Sequence, residues 1–189
     1  MPSSTPSFIS DIIEKIQKVN PKSILDIGCG FGKWGFLCRE YLETWNDRCY
    51  PNMWKVKIDA VEAWVRYVDG FPWLRDIYND IYNQDVYDVV DDLQHYDVII
   101  AGDVIEHLEK EKANEVLRKL YNKAKKCFIL SIPVGPEWLG NCTPDNNPFE
   151  AHKSAWKEVE LLEIGKCERK RCPGVRGGIV LAVYNKEEG

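Results

Sequence analysis

The sequence predicts an α/β chain built on a doubly wound sheet of seven strands, mostly parallel with an antiparallel last strand, flanked by helices. Three observations carry this. Short apolar runs of strand type alternate with stretches of helical periodicity along most of the 189 residues. The run Ser23 to Ile27 breaks into Gly28-Cys29-Gly30-Phe31-Gly32 before a helical stretch, as a chain does where backbone must come close to a ligand. Two further strand-type runs follow in close succession near the C-terminus, which argues for an edge hairpin.

Taken in order, Phe8, Ile9, Ile12, Ile13 and Ile16 form a helical stripe, with Ser7 or Ser10 as cap and Asn20-Pro21 as stop, giving a leading helix within 1–20. Ser23 to Ile27 is the first strand, and Phe36 to Leu42 suits a helix burying positions 37, 38, 41 and 42. Residues 43–54 form an irregular insert, longer than the usual two to six residues of such a connection. It is either a binding surface or a loop packed under its own aromatic side chains. Lys55 to Glu62 alternates as a second strand, and Ala63 to Asp76 reads as a helix broken at Pro72, with Trp64, Tyr67, Phe71 and Trp73 as a core-facing stripe.

Asn79 to Asn83 is a short third strand, and Val86 to Leu93 a small helix with Val89, Val90 and Leu93 inward. Tyr96 to Gly102 has the continuous apolar centre of a strand covered on both faces. Lys110 to Lys125 is amphipathic, burying Ala113, Val116, Leu117, Leu120 and Ala124, and Cys127 to Ile132 is a fifth strand stopped by Pro133. The loop 133–153 is long and rich in glycine and proline, a length usual for functional loops. Ser154 to Leu162 reads as a helix, Lys166 to Lys170 as a sixth strand and Ile179 to Tyr184 as the last. No repeat or linker interrupts the pattern, so 1–189 is read as one domain.

Composition narrows the class. A net charge of −5 lacks the basic footprint of a nucleic-acid binder, and Lys166, Arg169, Lys170 and Arg171 read as a solvated strand edge. Seven cysteines, at 29, 38, 49, 127, 142, 167 and 172, form no C-x-x-C pair, which suits buried thiols in a reducing compartment. Neither a signal sequence nor a membrane-length apolar run is visible, so the expected location is cytoplasmic and the expected partners include no membrane.

The glycine loop discriminates between cofactors. A dinucleotide fingerprint would place its third glycine at position 33, but Lys33 stands there and the third glycine is Gly32. Asp26, two residues before Gly28, disfavours a pyrophosphate and suits a cationic ligand without phosphates. S-adenosylmethionine (SAM), with its sulfonium and ammonium groups, is such a ligand.

The spacing Asp26-x-Gly28-x-Gly30-x-Gly32 resembles motif I of the class I SAM-dependent methyltransferases. Asp103-Val104-Ile105-Glu106-His107-Leu108 is similar to the D-V-[IL]-E-H-[IL] segment of many members. The resemblance covers roughly residues 20 to 135 and implies a Rossmann-like fold in a small methyltransferase of the type 11/12 kind. It implies that Gly28, Cys29, Gly30 and Gly32 cradle the amino-acid part of SAM, with Asp26 reaching its ammonium directly or through water. Glu62, ending the second strand, would accept from both ribose hydroxyls, with the mid-strand Asp59 as a weaker competitor. Asp85 would accept from the adenine amino group beside the Val86 N–H, although Gln84-Asp85 also suits a helix cap. Asp103 would pass beside the methionine portion, and S-adenosylhomocysteine would be the product.

Two histidines are candidates for acid–base work. His107 recurs with Glu106 across methyltransferases of different substrates, which favours a structural role. His152 lies in Asn147-Pro148-Phe149-Glu150-Ala151-His152-Lys153-Ser154-Ala155-Trp156. That stretch is similar to an N-P-[FY]-E-x-H-x-x-x-W segment of some bacterial and archaeal methyltransferases, some linked to glycan or natural-product modification. His152 is therefore either a base or acceptor contact, or a loop anchor; His95 reads as surface. A metal site would need clustered carboxylates and amides, which the sequence does not assemble, so none is expected. The reading is methyl transfer to oxygen or nitrogen of a small-molecule or glycan acceptor. A SAM-binding module without catalysis and an NAD-dependent oxidoreductase stand as alternatives. The acceptor and the choice between monomer and homodimer are not legible.

Overall fold

A computed structural model describes residues 3–140, 146–172 and 177–186. Seven strands form one sheet in the order β3-β2-β1-β4-β5-β7-β6. They are β1 (Ser23–Ile27), β2 (Lys57–Val61), β3 (Ile81–Tyr82), β4 (Tyr96–Gly102), β5 (Ala124–Pro133), β6 (Glu168–Cys172) and β7 (Ile179–Asn185). β1 to β5 pair in parallel, while β7 runs antiparallel to both β5 and β6. The chain builds outward from β1 to β3, then returns to place β4 on the other side of β1. The crevice where strand order reverses therefore lies above β1 and β4, at their carboxyl ends.

Helices cover both faces: α1 (Ile9–Val19), α2 (Lys33–Leu42), α3 (Val65–Gly70), α4 (Leu74–Ile77), α5 (Val86–Val89) and α6 (Lys110–Lys123). The strand period of two splits the core. Ile24, Val98 and Ile100 pack with Phe8, Ile12 and Trp34 on one face. Leu25, Ile99 and Ala101 pack with Val116, Leu120 and Trp156 on the other. Among the described residues no helix is long and apolar enough to cross a membrane. The six described cysteines are free thiols, and Cys142 lies outside the described residues, as does the 141–145 part of the expected 133–153 loop.

Several expectations change. Neither Ser7 nor Ser10 caps α1; the Thr5 side chain accepts from the Ser7 N–H (3.3 Å) at a short 3-10 turn, Pro6–Phe8, that runs into the helix. α2 starts at Lys33 because Gly32, at φ +90°, serves as its N-cap. Its buried face is then Trp34, Cys38, Arg39 and Leu42, with Leu37 and Tyr41 flanking. Pro72 divides α3 from α4, so the expected aromatic stripe shares no single helical face. Leu74 and Ile77 enter the core, whereas Trp73 is exposed and stacks with Phe71, which stacks on Tyr67 (centroids 5.0 and 5.6 Å). In place of the expected helix at Ser154 to Leu162, the chain is irregular up to a 3-10 stretch, Glu158–Glu163. There the N–H groups of Lys153 and Ser154 donate to the Glu106 carbonyl (2.8 and 3.0 Å). Ala124 opens β5 rather than closing α6, and remains buried. The basic edge strand β6 is largely exposed, as expected.

The 43–54 insert is held by a buried ion cluster. Glu43 is fully buried, and its Oε1 accepts from the N–H groups of Lys55 (2.8 Å) and Val56 (2.7 Å). Its other oxygen accepts from Arg48. Arg39, also buried, donates to the carbonyls of Ile77 (2.8 Å) and Val56 (2.7 Å) and lies over the Trp54 ring (4.1 Å). The insert is thus packed under its own side chains while Trp45 and Tyr50 stay exposed. Removing one partner of such a buried group is costly because the rest stay desolvated. Glu43→Ala should lower stability by about 3–5 kcal/mol in urea unfolding, an effect that a mere surface ion pair would not produce.

Candidate active site

A cavity of about 630 Å³ opens at the carboxyl ends of β1, β2 and β4, within the roughly 300–1,000 Å³ usual for small-molecule sites. Its floor is the β1–α2 loop. Gly28 (φ +67°) and Gly30 (φ +50°) line it. A side chain at Gly28 would also meet Val104 Cγ2 at 2.4 Å, so the close approach of the two loops requires glycine there. The N–H groups of Gly28 and Cys29 donate to the Val61 carbonyl (2.8 and 3.2 Å), tying the loop to the end of β2.

Glu62 follows β2 and faces the cavity. Its Oε2 accepts from the Gly30 N–H and its Oε1 from the Trp64 N–H, each at 2.8 Å. Burial raises its pKa, and these two donors oppose the rise. Asp59, the competitor, is buried mid-strand, where it accepts from Tyr96 Oη (2.6 Å) and pairs with Lys57 (2.9 Å). Asp85 lines the cavity beside Val86 and also caps α5, accepting from the Tyr87 N–H at 2.9 Å. Asp103 holds a positive φ of +55°, a conformation Asp tolerates better than most residues. Its carboxylate accepts from the Thr5 N–H and the Ser131 hydroxyl, each at 2.7 Å.

Those contacts draw the N-terminal segment across the site: Ser3 to Pro6 line the cavity, and Lys33 donates to the Ser4 carbonyl and to that of Thr5 (3.3 Å). The sequence gave Lys33 no role beyond displacing a glycine, and it gave no sign of this strap ahead of the leading helix.

Asp26, Cys29 and Gly32 do not line the cavity. Asp26 shares the β1 face of Ile24, where it is buried and accepts from Tyr78 Oη at 2.5 Å, its Oδ1 left without a partner. The Cys29 side chain lies in the same core, where burial pushes its thiol far up. A Cβ on Gly32 would strike Leu74 Cδ2 at 2.6 Å, so that glycine serves helix packing.

The opposite wall comes from the β4–α6 loop and the 133–153 region. Glu106, His107 and His152 meet there, one ligating atom from each lying within 4.8 Å of the others. The His107 and His152 rings stand edge to face at 4.8 Å, and Trp138 stacks on His152 at 6.0 Å. A short antiparallel bridge joins His152 to Gly140. Burial lowers the pKa of both imidazoles and raises that of Glu106 well above the usual carboxylate range. Tyr67, which donates to Glu150 Oε1 (3.2 Å), and Phe149 complete this end. The sequence singled out both histidines but left Glu106 in a motif without a role of its own. No local signal joins residues so far apart in the chain.

No family model matches the sequence, and no curated protein does. Solved structures do. The N-methyltransferase NodS from Bradyrhizobium japonicum WM9 is 13% identical, with a TM-score of 0.60 over 97% of this chain and 98% of that one. Magnesium protoporphyrin IX methyltransferase (ChlM) from Synechocystis PCC 6803, solved with bound S-adenosylhomocysteine, is 14% identical, with a TM-score of 0.66 over 94% of this chain and 81% of that one. A SAM-dependent methyltransferase from Archaeoglobus fulgidus is 15% identical, with a TM-score of 0.61 over 94% of each. The chain has the fold of the class I SAM-dependent methyltransferases.

Asp26 provides a test of the buried layer below the loop. Burial, opposed by the Tyr78 hydroxyl, pushes its pKa from 3.8 up to about 7. The folded state therefore holds this proton more tightly than the unfolded chain. The stability it contributes is full below about pH 4 and lost as pH rises through about 7. Asp26→Asn has no such loss. Its melting temperature relative to wild type should climb steadily between about pH 4 and 8, and a pH-independent difference would contradict the assignment.

Proposed function

We propose that the protein is a SAM-dependent methyltransferase acting on an oxygen or nitrogen of a small-molecule or glycan acceptor. The observation that carries this is the Glu62 carboxylate, fixed by the Gly30 and Trp64 N–H groups at the cavity wall between the Gly28–Gly30 floor and the Asp85–Val86 edge. With both oxygens already oriented by backbone donors, their remaining lone pairs suit a pair of vicinal hydroxyls, as on a ribose. The glycine floor lets a ligand approach the backbone, and Asp85 and Val86 provide an acceptor and an apolar surface for a purine. These residues fit the cofactor that NodS-like and ChlM-like folds suggest. When bound, SAM would supply an activated methyl group on a sulfonium.

What the chain must add is alignment and exclusion of water. The strap of Ser3 to Pro6, held by Asp103 and Lys33, covers one side of the cavity, and the Trp138–His152 wall covers the acceptor end. Both imidazoles stay neutral near pH 7, so this end can hydrogen-bond an acceptor or receive its proton. The cavity volume favours a small acceptor over a macromolecular groove.

Calorimetry should show SAM and S-adenosylhomocysteine binding to the purified protein, and binding of NAD(H) in their place would overturn the reading. Glu62→Gln should weaken S-adenosylhomocysteine binding about 10- to 100-fold, the cost of one or two hydrogen bonds to a charged group. His152→Ala should keep that affinity while abolishing turnover, which separates an enzyme from a binding module without catalysis.

A further inference from the structure

The geometry points to a divalent transition-metal site at the acceptor end of the cavity, formed by Glu106, His107 and His152, with open positions toward the cavity for an acceptor hydroxyl oxygen. Three observations build it. First, the ligating atoms lie within 4.8 Å of one another. Atoms that each sit about 2.0–2.2 Å from one ion can be at most about 4.4 Å apart, so a contraction of a few tenths of an ångström closes the set. Second, two of the three groups end in buried atoms without a partner. Glu106 is 1% exposed with Oε2 unpartnered, and His152 Nδ1 is buried and unpartnered as well. A protein that buries a carboxylate oxygen and an imidazole nitrogen side by side, with nothing to satisfy either, leaves room for something that accepts lone pairs from both.

Third, the supporting contacts orient the ligands. His107 Nδ1 lies 3.2 Å from the Ala151 carbonyl, a contact that only a protonated Nδ1 can make favourably. That tautomer turns the Nε2 lone pair free, the arrangement usual for metal-bound histidine. The main-chain carbonyl of Glu106 accepts from the N–H groups of Lys153 and Ser154, so the segment carrying His152 is clamped to the loop carrying Glu106 and His107. Asp103 and Glu150 add negative charge beside the histidines.

Two imidazole nitrogens and one carboxylate oxygen select a first-row transition ion such as Mn²⁺, Fe²⁺, Co²⁺ or Zn²⁺ over Mg²⁺ or Ca²⁺, which prefer oxygen ligands alone. Three protein ligands leave positions for exogenous oxygen. The metal site stands independently of the methyltransferase reading; only the identification of the open positions with the acceptor rests on it.

The test uses the whole protein, treated with chelator and then titrated with Co²⁺. We expect one equivalent to bind with visible d–d absorption, displaced by Zn²⁺ and not by Mg²⁺ at equal concentration. Glu106→Gln and His152→Asn should each weaken Co²⁺ binding by at least about tenfold while retaining S-adenosylhomocysteine binding, which also reports that each variant is folded. His107→Asn carries the same expectation if either of them fails to fold. Absence of Co²⁺ binding to wild type, binding unchanged in folded variants, or a spectrum showing only cysteine ligation overturns the proposal. Wild type that binds S-adenosylhomocysteine but not Co²⁺ defeats the metal site alone, and the converse result defeats the methyltransferase reading alone.

Discussion

The Glu62 carboxylate links two loops at the rim of the cavity. One oxygen takes the Gly30 N–H from the β1–α2 loop and the other takes the Trp64 N–H from the β2–α3 connection. Its main-chain carbonyl accepts from the Asn83 side chain at 2.7 Å, bringing in the end of β3. One residue thus sets the relative positions of three strand ends around the crevice. A neutral side chain would supply fewer acceptor sites, and charge-assisted bonds are the stronger kind. The cost is a desolvated carboxylate, which explains why its pKa is raised even with two backbone donors.

Much of this was legible in the sequence because it follows from period and punctuation. β1 and β4 fall where their apolar runs place them, Tyr96–Gly102 as a strand buried along its whole length. The buried residues Ala113, Val116, Leu117 and Leu120 of α6 follow from the 3.6-residue repeat. Glu62, Asp85 and Asp103 line the cavity because strand ends in a doubly wound sheet face the crevice. Asp26 was singled out by its spacing to the glycines, not by a strand end. It lies inside β1, where alternation decides its direction, and alternation points it at Tyr78 and away from the cavity.

What sequence did not reveal depends on contacts between distant segments. Arg39 looks like a surface residue of an amphipathic helix, yet it is buried because Glu43, Val56 and Ile77 surround it with acceptors. The aromatics of α3 and its following loop have the composition of a core stripe. Pro72 redirects the chain, and the rings then pack on one another toward the surface, with Phe31 joining Phe71 and Trp73 edge-on at 5.0 Å. Thr5 and Asp103 are 98 residues apart and have no local signature, although together they fix the strap.

The two ends of the cavity differ in how their polar groups are satisfied. At the glycine end, Glu62, Asp85 and Asp103 all accept from backbone or hydroxyl donors, so their geometry is set before any ligand arrives. Preorganised acceptors of this kind favour a ligand that brings donors, such as hydroxyl and amino groups. At the histidine end, Glu106 Oε2 and His152 Nδ1 are buried without partners, a state that costs roughly 1–3 kcal/mol per group when nothing is bound. That end is held in place by main-chain bonds from Lys153 and Ser154 and by the His107 contact with the Ala151 carbonyl. A site maintained against such a cost is poised for a ligand that supplies positive charge or donors, and the adjacent imidazoles make an electron-pair acceptor the better match.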